Sequence, residues 1–240
     1  MAVTPTAVPP TLTDPSLPAT ITASPFPTPT QSAIYKGALT ASQQELLNTS
    51  AQAYLSETPD EAVKTVIRMA YTNPPAYANP ATVCGPLSLA ILQDTGLVSK
   101  DFLLHDFWYL NPRPQHQENY LKKVFPADQF EKIEQPLPID KVDYTADPLY
   151  PGDFLYLFAG NNGSYEHMLV VSRVDEAGRA YSVTNLNTTY GVIITEVMLY
   201  DPAQPGVGQF YEWTNFENRK LGRTGYGGFW LWRPINPLTG

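Results

Sequence analysis

The chain has 240 residues, of which 43% are hydrophobic, a formal net charge of -8 and a single cysteine. That size and apolar content suffice for one real core, most naturally one domain with appendages. The acidic balance, with no Lys/Arg cluster, argues against nucleic-acid or anionic-membrane partners, and one cysteine cannot form an intrachain disulfide, so the core alone must carry the fold.

Residues 1–33 are mostly Thr, Pro, Ala and Ser, a composition that cannot bury apolar surface and reads as a disordered linker. They lack the basic start and apolar middle of a signal peptide, and no apolar run of roughly 18 residues follows, so no membrane span is expected. Thr/Pro stalks hold bacterial domains away from a membrane or wall, which suggests a secreted or surface-tethered, extracytoplasmic protein whose signal or lipid anchor lies upstream; an ordinary disordered tail is the plainer alternative. Residues 34–240 form the predicted domain.

Helical spacing begins with "SQQELLNTSAQAYL" (42–55) behind a Ser cap. "TPDEAVKTVIRMAY" then offers Thr58 as N-cap, Pro59 in the first turn and Glu61 three residues after the cap; the two helices are expected to pack on each other. A third helix starts at Cys84 and stops near Gly96. Residues 99–135 read as shorter helical pieces broken by "NPRP" and "FPAD". After residue 140 the pattern becomes that of strands: 151–158, 167–174, 179–187, 191–200 and 226–234 are rich in β-branched and aromatic residues and are separated by Gly, Asn and Pro turns. Helices first and an antiparallel sheet second predict an α+β fold, with the N-terminal helical half packed on one face of the C-terminal sheet.

A thiol at a helix N-terminus is favoured as thiolate by the unpaired amides there; Gly85 would admit close backbone approach, and Pro86 lacks an N–H that would be unpaired anyway. The plainer reading is a small buried hydrophobe. A cysteine nucleophile needs a base and a group that orients it. His105 and His116 lie in short helical or loop pieces suited to surface or packing roles, whereas His167 heads an apolar strand directly after the loop "AGNNGSYE". If "EAG" closes a hairpin with Gly178 in the left-handed conformation, Asp175 pairs with Arg179. Continued, that ladder sets His167 opposite Asn187, with Asn185 its diagonal neighbour about 7 to 8 Å away. Both asparagines could instead simply initiate the next turn.

This order resembles the papain-like bacterial cysteine hydrolases of the CHAP and NlpC type: Cys at a helix start, "PGD" opening a strand, His heading the next, then a polar orienter one strand later. "TNLN" is similar to the Glu-x-Asn pattern of CHAP domains, and "CGP" is closer to the double-glycine peptidases that process bacteriocins, which usually carry Asp where Asn185 stands. The resemblance spans about residues 79–187. It implies a papain-like fold and a peptidase or amidase acting on peptide or peptidoglycan bonds. Cys84 would be nucleophile, His167 proton carrier and Asn185 orienter, with Asn187 as possible support and Asn79 as possible oxyanion donor, although Asn79 before Pro80 also suits a turn. The alternatives are a catalytically silent papain-like binding or scaffold domain at the cell surface, and an acyltransferase using the same triad. Neither a cofactor nor a metal is expected, since no short-spaced ligand pairs occur, and a monomer is expected. Asp153 reads as a strand-start turn residue. Trp108, Tyr165, Trp213, Tyr226, Trp230 and Trp232 could line a peptide or glycan groove, but "GFWLWRP" reads better as core.

Overall fold

The computed structural model describes residues 37–160, 166–220 and 226–235, with side chains of 216–220 left aside. The Thr/Pro-rich segment and Tyr165 therefore lie outside the described residues. The fold is α+β, with helices mainly N-terminal and antiparallel sheets C-terminal.

Helix α1 (Ala41–Gln52) is capped two residues before the expected Ser42, because Thr40 and Gln43 satisfy each other's backbone amides in a capping box. Helix α2 (Pro59–Met69) starts as its sequence predicts: Thr58 accepts from the Glu61 amide, Glu61 reaches back, and Pro59 occupies the first turn. The two do not form the expected helical pair as their main contact; α1 packs chiefly on α3 (Cys84–Asp94) and α2 on strand β6. From Gly85 to Gln93, α3 is buried all round, as a central helix must be, and the chain turns at Gly96 with φ +73°. Helix α4 (Gln115–Val124) sits between the two proline-marked breaks.

Strand β1 (Phe130–Gln135), in a stretch expected to be helical, lies at one edge of a four-stranded antiparallel sheet in the order β1-β7-β2-β3, with β2 Phe154–Ala159, β3 His167–Val170 and β7 Tyr226–Pro234. A second antiparallel sheet, in the order β4-β5-β6, joins Arg173–Val174, Ala180–Thr188 and Gly191–Tyr200. Helix α5 (Gln209–Lys220) packs on β6. The single sheet expected from sequence is thus two, and the 167–174 strand is split between them.

Two apolar clusters lie on opposite faces of the four-stranded sheet. Phe154, Tyr156, Phe158, Met168 and Val170 face the helices, together with Val183 and Ile194. Leu155, Leu157, Leu169, Phe229 and Leu231 face the other way, toward Leu199, Tyr200 and Phe210. Along β2, β3 and β7 the period-2 alternation of a strand makes this division: buried neighbours in sequence belong to different cores.

Candidate functional site

Cys84 heads α3 as expected and packs at the margin of the helix-side core. Gly85 is indispensable there, since a Cβ would stand 2.2 Å from the Phe107 carbonyl oxygen and 2.7 Å from the Met168 methyl. The residue as a whole is of intermediate exposure, but burial of the thiol pushes its pKa above the ordinary value; backbone hydrogen bonds at Met168, Gly85 and Cys84 pull the other way without prevailing. The amides that favour thiolate at a helix start are therefore present, and desolvation outweighs them.

His167 lies on the far face of the sheet. It pairs with Leu157 across β2–β3, and paired residues share a face, while Met168 pairs with Tyr156 on the helix side. Its Nε2 is 2.9 Å from Thr184 Oγ1 and its ring meets Trp213 edge-on at 4.9 Å. With only 5% exposure, burial holds its pKa down to about 4, so the imidazole is neutral at neutral pH.

The hairpin arithmetic holds only near its turn. Gly178 is left-handed at φ +81°, the Asp175 amide donates to the Arg179 carbonyl, and Val174 pairs with Ala180. The ladder ends at Ser172, whose amide donates to the Tyr181 carbonyl, while the Val171 amide turns instead to the Asp153 carbonyl. This break shifts β3 against β5, so His167 meets Thr184 rather than Asn187. Asn185, one residue on, points to the opposite face: it pairs with Ile194 of the helix-side core, and its Oδ1 is buried with no hydrogen-bond partner among the described residues. Asn187 is exposed near the β5–β6 turn. Asn79 is also exposed, and its Oδ1 accepts from the Ala81 amide at 2.9 Å to cap the short 3-10 turn Pro80–Thr82, so its carboxamide oxygen serves the turn. The structure does not bring Cys84, His167 and Asn185 together as a triad. Cys84 and Asn185 lie toward the helices and His167 lies beyond the sheet.

On the cysteine's side of the sheet the polar residues are different ones. Tyr156 donates a short hydrogen bond to Glu166, whose other oxygen is 3.2 Å from Arg113 Nη1. Burial, the Glu166 hydrogen bond and the charge of Glu166 hold the Tyr156 hydroxyl firmly protonated. Alternation could have signalled this chain, because Glu166 is two residues from Met168. His105 holds the Tyr71 carbonyl through Nδ1 at 3.0 Å and packs on Trp108, a structural role. Of the aromatic residues weighed as groove or core, Tyr226 and Trp232 are core at 3% exposure, while Trp108, Trp213 and Trp230 are partly buried. Among the described residues, no group of three or more His, Cys, Asp and Glu could hold a metal ion, and no helix is long and apolar enough to cross a membrane. No protein-family model matches the chain, and neither a curated protein nor a solved structure is significantly similar to it.

Proposed function

We propose that this chain is a papain-like binding domain whose cysteine and histidine perform no hydrolysis, displayed outside the cytoplasm by its Thr/Pro-rich segment. One observation carries the reading: His167 and Cys84 occupy opposite faces of the β2–β3 ladder, where no side-chain rotation brings an imidazole to the sulfur. A thiol raised by burial and an imidazole already bonded to Thr184 agree with it.

The test is mass spectrometry of products after the full chain is incubated with purified peptidoglycan and with a generic peptide library, beside Cys84→Ser. No product dependent on Cys84 is expected. Native Cys84 should also react with iodoacetamide far more slowly at pH 7 than the urea-unfolded chain, because alkylation requires thiolate. Products that disappear in Cys84→Ser would overturn the reading. They would favour the second one, a thiol peptidase or amidase, to which the backbone amides around the sulfur and the unpartnered Asn185 Oδ1 lend support.

A further inference from the structure

A pocket of about 250 Å³ opens on the helix-side face of the four-stranded sheet where β1 and β2 end and β7 begins. Its cause is a glycine. Phe158 pairs with Gly228 but Ala159 pairs with Tyr226, which leaves Gly227 out of the ladder as a bulge. Gly228 has φ +138°, and a Cβ there would stand 2.6 Å from the Gln135 carbonyl oxygen, so only glycine fits at this position and it contributes no side chain to the pocket. Trp230 and Phe158 meet edge to face at 5.1 Å and form an apolar wall, and Arg113, Glu134 and Gln135 complete the lining.

The charges of this lining are already matched. Arg113 pairs with Glu166 at 3.2 Å and lies 4.3 Å over the Phe158 ring; Lys132 pairs with Glu134 at 2.7 Å and lies 3.5 Å over Trp230. An ionic ligand would have to break one of these pairs, and the chain's net charge of -8 gives no general attraction for anions. Hydrogen-bonding capacity is left over, however: a guanidinium carries five N–H donors, a carboxylate about four acceptor sites, and the Gln135 oxygen is occupied by the Leu137 amide while its NH₂ is a separate donor. Planar donors and acceptors around an aromatic wall suit a ring with hydroxyls at its edge and C–H bonds on its face. The volume lies below the ~300 Å³ at which drug-sized sites begin, which suits one ring.

We propose that the pocket over Gly228 binds the neutral pyranose ring of a glycan, held by Arg113, Glu134 and Gln135 against Trp230 and Phe158. The proposal rests on the binding-domain reading and supplies its ligand class. In ¹⁵N-labelled full chain, the Trp230 indole N–H signal, assigned by its loss in Trp230→Phe, should shift saturably with methyl glucoside or N-acetylglucosamine. Arg113→Ala and Glu134→Ala remove solvent-exposed side chains and should keep the dispersed spectrum while raising the dissociation constant at least ~tenfold. Three results would each overturn the proposal: no saturable shift with either sugar at tens of millimolar, equal affinity in both variants, or a stronger response to acetate or glucuronate than to the neutral sugars. Cys84→Ser should bind sugar like the wild type. Thiol-dependent hydrolysis would refute the non-catalytic reading without altering this titration, and a silent titration would leave that reading standing.

Discussion

At the scale of single residues, desolvation governs how His167 titrates. An unfolded chain protonates histidine near pH 6.5, whereas the folded chain resists until about pH 4, because a buried imidazolium has lost its water and has no carboxylate in return. Between those values the unfolded state binds more protons, so stability falls as pH drops from 6.5 and levels off below 4. The loss by pH 5 should be roughly 2 kcal/mol, read as a lower urea midpoint than at pH 7.5, and His167→Gln should show a flatter dependence over the same range. A profile as steep in His167→Gln as in the wild type would assign the loss to other groups. Cys84 follows the same rule with the opposite sign of charge: burial disfavours the anion and the thiol stays protonated.

At the scale of elements, the head of α3 shows how closely local chemistry can be read from sequence. Gly85 was expected to admit another backbone, and the Phe107 carbonyl is that neighbour. Gly85→Ala should therefore cost about 1–3 kcal/mol of stability by overpacking against a carbonyl that cannot swing aside, while Gly96→Ala, with open space around it, pays only for its left-handed backbone. Comparing the denaturant midpoints of the two variants checks this, and an unperturbed Gly85→Ala would mean that α3 sits farther from Phe107. The cap of α2 was legible for a related reason: Thr58 and Glu61 satisfy each other's amides within one turn, Pro59 has no N–H to satisfy, and none of them needs anything distant. Strand β1 was not legible, since "FEKIEQ" carries the charges of a sheet edge and owes its extended form to pairing with β7, some hundred residues later. Helix α5 was missed too; Phe210 and Trp213 are spaced for a helix, but they acquire a buried side only once β6 and the far core lie beneath them.

At the scale of the whole molecule, two cores share one sheet, and Asp153 ties that sheet together. This carboxylate is fully buried and takes both Arg233 Nε at 3.0 Å and Nη2 at 2.7 Å, joining the start of β2 to the end of β7, and it also accepts the Tyr150 amide. The turn residue of "PGD" is thus the anchor of a buried ion pair. Asp153→Asn should cost about 3 kcal/mol, measured by urea unfolding, because it removes the buried carboxylate that neutralises the largely buried Arg233 guanidinium; a variant within experimental error of the wild type would show that solvent at the exposed edge of Arg233 compensates for the lost charge. The sequence by itself determined the α+β order, the cap of α2, the turns at Gly96 and Gly178, and the position of the thiol at a helix start, since each rests on contacts among residues a few positions apart. Only the tertiary structure decided the relation of thiol to imidazole. A slip of the ladder at Ser172 and the alternation of β3 place His167 and Met168 on opposite faces, and nothing within a few residues of His167 specifies which of the two turns toward Cys84.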